Sequence, residues 1–263
     1  MSFKKDEKLR LTLEVADLAI GYKSAVIAKN INFNVSEGEL MAIVGINGIG
    51  KSTLLRTLGN VQPKLSGSIK IEQRELENYP ALKLAAKISL VLTEPIASKN
   101  MSVLELIALG RQPYTNWLGS LSKEDRTKIK EAISMLQLEE LQHRKCFELS
   151  DGQLQRVMIA RALAQDTTII LLDEPTTHLD LYHKVKILKL LKSIAHRTKK
   201  TIVFTSHEIE MAIQLCDKMV LLDRKNNPFG QPCHLIEQGA FEALFPGDAV
   251  SFDASTGSFR IQK

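Results

Sequence analysis

No stretch of the 263 residues is apolar enough for long enough to cross a bilayer as a helix. The first residues, Met1-Ser2-Phe3-Lys4-Lys5-Asp6-Glu7-Lys8, lack the apolar core of a signal peptide, so a cytosolic location is expected. Cysteine is scarce: Cys146, Cys216 and Cys233 are scattered, odd in number and without metal-ligand spacing. That argues against a disulfide framework and a zinc site, and leaves reduced, structural thiols. Aromatic residues make up only 5%, and the excess of 35 basic over 30 acidic residues is spread along the chain rather than gathered in an aromatic-rich basic patch. No nucleic-acid partner is expected; mild attraction to an anionic lipid surface accounts for a charge of +5 equally well. Internal repeats and low-complexity segments are absent.

What is present is an ordinary globular composition, 44% apolar and 25% charged, in a chain long enough to bury a full core. Its centre is Gly45-Ile46-Asn47-Gly48-Ile49-Gly50-Lys51-Ser52-Thr53, which fits glycine, four residues, then Gly-Lys-Ser. Such a loop turns backbone N–H groups inward round a diphosphate, and glycine permits both the turn and the close approach. Lys51 supplies a full charge for the β- and γ-phosphates, and Ser52 a hydroxyl for magnesium. Leu40 to Val44 reads as a buried strand before the loop and Ser52 to Leu58 as a helix after it, the context that phosphate binding needs.

Short apolar-alternating runs, Leu11 to Val15, Leu18 to Gly21, Ile31 to Val35 and Gly67 to Ile71, predict a small antiparallel sheet. From Pro95 to Ala164 the pattern becomes helical: a capping box at Ser122 to Asp125 opens a stretch with Ile129, Ile133, Leu136 and later Leu141 on one face. The core resumes with strands at Thr168 to Leu172, Thr201 to Thr205 and Met219 to Leu222, separated by helices at Leu181 to Ala195 and Glu208 to Cys216. Alternation of this kind predicts a parallel sheet. A tail from Asn226 carries turn signals, a short helix at Phe241 to Leu244 and a possible-hairpin pattern from Phe252-Asp253 to Gly257-Ser258-Phe259.

The strand at Thr168 to Leu172 ends in Asp173-Glu174, delivering two carboxylates to the carboxyl edge of the sheet, where ligands of such folds bind. Asp173 suits the magnesium shell, and Glu174 suits a general base that orients or deprotonates water for attack on a γ-phosphate.

With these motifs in this order, the chain from about Leu11 to Leu222 resembles the ATP-binding cassette (ABC) family. The resemblance implies an α/β fold: a P-loop ATPase core (1–94 and 165–225) with a parallel sheet and a small antiparallel β subdomain, a helical subdomain (95–164) and a tail (226–263). It also implies the ligands ATP and Mg2+. Tyr22 matches the aromatic that stacks on adenine, packing on the small sheet being the lesser alternative. Leu149-Ser150-Asp151-Gly152-Gln153 matches the signature motif, which faces ATP held by the other subunit; Ser150, Gly152 and Gln153 are its nucleotide-facing residues, and Asp151 replaces a glycine. Asp180 matches an aspartate that crosses the dimer interface, or caps the following helix. His207 matches the switch histidine at the γ-phosphate. Glu94 stands where the family has a glutamine that touches magnesium, with Thr93 as the alternative. Met101 to Tyr114 is similar to importer subunits for iron-siderophore, haem and cobalamin-like chelates.

The resemblance therefore implies a homodimer on the cytoplasmic face of the cell membrane, bound to a separate integral-membrane permease through Pro95 to Tyr114 and served indirectly by a substrate-binding protein. The alternatives are a soluble ATP-gated dimerisation module and the ATPase subunit of another ABC transporter.

Overall fold

The computed structural model describes residues 10–23, 25–94, 99–223, 225–244 and 250–262. The N-terminal residues Met1 to Lys8, and Pro95 to Ser98 of the expected permease surface, lie outside them. Two long strands come first, β1 (Leu11–Tyr22) and β2 (Ala25–Ser36). The runs at Leu11 to Val15 and Leu18 to Gly21, separate in the sequence reading, are one strand. Asp17 adopts a left-handed φ of 48° and its N–H donates to the Asn32 side chain at 2.8 Å, so a bulge restarts the alternation without ending the pairing.

Next come β3 (Leu40–Val44), the glycine loop, α1 (Lys51–Leu58), β4 (Ser66–Ile71) and β5 (Arg74–Glu75). An antiparallel sheet of order β2-β1-β4-β5 results. After α2 (Ala81–Ala85) and β6 (Ile88–Val91) the chain makes a helical excursion, α3 (Val103–Ala108), α4 (Lys123–Met135) and α5 (Asp151–Ala164). The capping box that opens α4 forms: Ser122 Oγ accepts from Asp125 N, while Asp125 accepts from Ser122 N at 2.8 Å. Leu141 is not on that helix. Gln137, with φ 53°, ends it, and Leu141 falls in a following 3-10 turn.

The buried guanidinium of Arg111 fastens the excursion together, pairing with Asp125 at 2.7 Å, donating to the Ala164 carbonyl at 3.0 Å and lying 3.9 Å over the Tyr114 ring. The chain then alternates β7 (Ile169–Leu172), α6 (Leu181–Thr198), β8 (Thr201–Ser206), α7 (Ile209–Leu215) and β9 (Lys218–Leu221). It closes with β10 (Phe229–Gly230), α8 (Pro232–Glu237), a 3-10 turn at Glu242–Leu244 and the hairpin of β11 (Val250–Asp253) and β12 (Ser258–Ile261).

The central sheet has the order β10-β9-β3-β8-β7-β6, parallel except for β10 at one edge. Both faces are covered, which is why its strands read as continuous apolar runs. Along β3, Leu40, Ala42 and Val44 face the helical side with Ile170, Leu172 and Phe204, whereas Met41 and Ile43 face α1 and the antiparallel sheet with Leu171 and Val203. Cys146 and Cys216 are buried, and burial raises the pKa of the Cys216 thiol, as expected for structural thiols; Cys233 instead is exposed. No helix among the described residues is long and apolar enough to cross a membrane.

Candidate functional site

Parallel pairing places the ends of β9, β3, β8, β7 and β6 along one edge of the sheet, and the candidate residues follow directly from four of them. The glycine loop follows β3, His207 follows β8, Asp173-Glu174 follows β7, and Thr93-Glu94 follows β6. Residues as far apart in the chain as Gly45 and His207 are thereby brought to the carboxyl edge, the position where the twist of such a sheet and the starts of its helices leave room for a ligand.

In the loop, Gly48 (φ 74°) has no heavy atom within 4 Å of where a Cβ would stand, so the backbone there faces open space. Gly50, with φ 114°, is the left-handed N-cap of α1, and a Cβ on it would come within 2.6 Å of Ile27. The first position keeps the cradle open, and the second cannot accept a side chain. Asn47 is on the exposed rim. Lys51 is buried, and its ammonium donates to the carbonyls of Gly45 at 3.0 Å and Ile46 at 3.2 Å. Burial lowers its pKa, with Glu174 and Asp173 pulling the other way.

Ser52 Oγ donates to Asp173 Oδ1 at 2.9 Å. Asp173 is only 3% exposed, and its other oxygen, Oδ2, is buried without a hydrogen-bond partner. A buried carboxylate oxygen left unmatched beside a serine hydroxyl is a hard, anionic donor set suited to magnesium and unsuited to zinc. Thr205 was not singled out from the sequence, yet it organises both carboxylates. Its hydroxyl donates to Asp173 Oδ1 at 2.6 Å and accepts from Glu174 N at 2.8 Å. The available signal was the pair of hydroxyls, Thr205 and Ser206, that follows Ile202-Val203-Phe204 at the carboxyl end of the strand. Glu174 itself has φ 45°; Thr177 Oγ1 donates to its Oε2 at 2.9 Å, and His207 Nδ1 lies 3.8 Å from the same oxygen.

Glu94 lines a cleft of about 190 Å3 with Asp173 and Glu174, and ion-pairs at 2.7 Å with Arg56 of α1. Asp151 borders the same cleft. Tyr22 is more than half exposed, its hydroxyl 3.5 Å from Thr53 Oγ1 beside the loop, so its ring is not consumed in packing on the small sheet.

Ser150, Gly152 and Gln153 of the signature-like segment are elsewhere. Ser150 caps α5, accepting from Gln153 N at 3.3 Å while the Gln153 side chain accepts from Ser150 N at 3.0 Å. Ser150, Gly152 and Gln153 line a separate cavity of about 310 Å3 with Leu179 and His183. Asp180 caps α6 through His183 N at 2.9 Å and also pairs with the His183 ring. Within one chain, then, Ser150, Gly152 and Gln153 line a cavity distinct from the cleft of Asp173 and Glu174, which only Asp151 of the segment borders among the described residues.

Comparison with known proteins shows the family and the fold. The family described as ABC transporter matches residues 28–177. The petrobactin import ATP-binding protein YclP of Bacillus subtilis (strain 168) is 35% identical over 236 residues, 89% of this chain and 92% of that protein. Among solved structures, a transporter assigned to the metal-chelate ABC type, in an inward-facing conformation, superposes with TM-score 0.78 at 29% identity and covers 96% of both chains. The ATP-binding cassette MJ0796, a dimer in a post-hydrolysis state with ADP and Pi, has TM-score 0.71 at 30% identity over 84% of this chain and 98% of that one. With its phosphate loop, paired carboxylates and two-faced parallel sheet, the chain belongs to the ABC transporter family and is an ATP-binding, ATP-hydrolysing cassette.

Proposed function

We propose that two copies of this chain sandwich two ATP molecules and drive a separate permease that imports an iron-siderophore, haem or cobalamin-like chelate. The observation that carries the reading is the separation of the phosphate-loop edge from the cavity lined by Ser150, Gly152 and Gln153, because two antiparallel copies would complete each half with the other. The dimeric cassette and the relatives named for petrobactin import and metal-chelate transport support it.

In this reading the loop N–H groups and Lys51 take the phosphates, the ammonium exchanging the carbonyls of Gly45 and Ile46 for phosphate oxygens. Tyr22 supplies a flat face for adenine. Glu174 Oε2 orients water at the γ-phosphorus and receives its proton, with Thr177 and His207 fixing the carboxylate. His207 then contacts the γ-phosphate, and Asp180 reaches the partner's site. Ser52 and Asp173 would hold Mg2+, which when bound offsets negative charge on the β- and γ-phosphate oxygens.

Glu94 is the residue that joins this site to the helical excursion. We assign it to the magnesium shell in the ATP-bound protein, directly or through water, and to Arg56 otherwise, as the 2.7 Å pair shows for this structure. An unpaired carboxylate about 4 Å from Asp173 or a phosphate would meet repulsion of about 4 kcal/mol at an effective dielectric near ~20, so the charge enters the site only with the metal. Titrating ATP hydrolysis with free magnesium checks this: Glu94→Gln needs more magnesium for its half-maximal rate. An unchanged midpoint in that variant, with a shifted one in Thr93→Ala, transfers the role to Thr93.

A groove of about 560 Å3 between α3 and α4, walled by Leu104, Ala108, Leu121, Ile129 and Ile133, offers an apolar seat for a permease segment beside Met101 to Tyr114. Co-expression with a metal-chelate permease in proteoliposomes tests the import reading: chelate uptake depends on ATP, and a bulky Ala108→Trp change uncouples uptake while leaving nucleotide binding intact. A cassette that dimerises with ATP yet never co-purifies with membranes is instead a soluble switch.

A further inference from the structure

The residue after the switch histidine does something the motif does not ask for. Glu208 precedes α7 with φ −86° and ψ 72°, but its side chain makes no capping hydrogen bond to that helix, and its own N–H is satisfied by Ser206 Oγ at 2.9 Å. The carboxylate turns back instead. Its Oε1 is 3.3 Å from His207 Nε2 and is also ion-paired with the ammonium of Lys184, from the first turn of α6. The Lys184 and Glu208 side chains are only 19% and 22% exposed, so solvent screens this pair poorly. The other ring nitrogen of His207 faces Glu174. The imidazole therefore stands between two carboxylates, one of them the candidate base and the other anchored to a neighbouring helix.

We propose that Glu208 is a positioning residue for His207 and that Lys184 sets its carboxylate, so that the aim of the histidine depends on the start of α6. This rests on the reading in which His207 contacts the γ-phosphate. The physical need is twofold. A ring that is 42% exposed has several accessible rotamers, and a carboxylate held 3.3 Å from Nε2 favours the one observed. A bare carboxylate 3.3 Å from that ring would also repel an approaching triphosphate, and the Lys184 charge cancels it. The arrangement has a further property: α6 begins at Asp180, whose carbonyl accepts from Lys184 N at 2.9 Å, so the cap proposed to reach the partner's site and the cation that steadies the switch occupy one helical turn.

The test compares ATPase kcat and KM, ATP binding and thermal midpoint in the full-length chain carrying Glu208→Ala, Glu208→Gln, Lys184→Met, Lys184→Arg and the double variant Glu208→Ala/Lys184→Met, with His207→Ala as reference. The expected result is a kcat about tenfold or more below wild type in Glu208→Ala, with ATP affinity held within about twofold, partial recovery in Glu208→Gln and nearly full recovery in Lys184→Arg. Lys184→Met should add nothing once Glu208 is alanine, since it acts through that carboxylate. Wild-type kcat in Glu208→Ala beside an inactive His207→Ala overturns the proposal alone. Additive losses that follow the thermal midpoint and weaken ATP binding also overturn it, showing a pin between α6 and α7 only. Full turnover in His207→Ala overturns the assignment of the histidine itself, and the proposal with it.

Discussion

Lys51→Ala abolishes ATP binding, whereas Glu174→Gln binds ATP and does not turn it over. The contrast follows from what each side chain touches. Lys51 is buried under the loop, its ammonium within 3.0–3.2 Å of two loop carbonyls; burial lowers its pKa, and Glu174 and Asp173 offset this only in part. Alanine removes the only side-chain cation of the loop, so the triphosphate meets the two carboxylates without that counter-charge. Glu174→Gln is nearly isosteric. Its amide can still accept from Thr177, and the loop that holds the nucleotide is untouched. What disappears is a group able to take a proton, which general-base catalysis values at about 10²–10⁴ in rate. Fluorescent-nucleotide binding measured beside phosphate release separates the two: a Glu174→Gln protein that hydrolyses ATP at close to the wild-type rate removes this residue from the mechanism. The same variant should accumulate as an ATP-bound dimer on gel filtration, because closure is kept and the step that reopens it is lost.

Mixing two inactive proteins restores activity if the site is shared between copies. In Lys51→Ala homodimers neither phosphate loop binds. In Ser150→Arg homodimers both signature faces are blocked, because a long cationic side chain replaces the small cap of α5 at the mouth of the cavity that Gly152 and Gln153 also line. In a heterodimer both lesions fall in one composite site, and the other site combines an intact loop with an intact signature. Statistical exchange makes about half the dimers mixed, each with one working site, so recovery to roughly a quarter of the wild-type rate is expected. Stability of α5 is not at stake, since loss of a cap costs only about 1 kcal/mol. If no mixture ratio recovers activity while heterodimers are demonstrably formed, the shared-site arrangement in which each site fires independently is wrong.

How much of this was legible in the chain depended on whether a residue acts through its own segment or through a distant one. The phosphate loop is local: Leu40–Val44, the glycines and Lys51-Ser52 contain their own strand, turn and helix start, and the structure places those elements where the pattern did. Asp173-Glu174 could be read because an apolar strand visibly ends there. The antiparallel sheet was legible in outline, but the continuity of β1 was not, because it depends on the Asn32 side chain satisfying a bulge fifteen residues away. β6 and α2 escaped notice for a different reason: four and five residues are too short to establish a period. Thr205, Arg56 and Lys184 are non-local in the same way as Asn32. Each matters through a partner at another strand end or helix turn, Asp173, Glu94 and Glu208 respectively, and no spacing rule connects them. Asp151 was noticed as a departure from its motif, but its place beside the Asp173–Glu174 cleft became evident only with α5 packed against the core.

The left-handed backbone at Glu174 carries a consequence for evolution and for engineering. An L-residue other than asparagine or aspartate pays of order 1 kcal/mol to sit at φ 45°, and here the bond from its N–H to Thr205 holds it there. Glycine would occupy the position at ease. A search for thermostable variants that scored folding alone would therefore be drawn to this residue early, and would trade the motor for the chassis. With the carboxylate proposed as the base projecting from that turn, position 174 is a place where robustness and work are in direct competition.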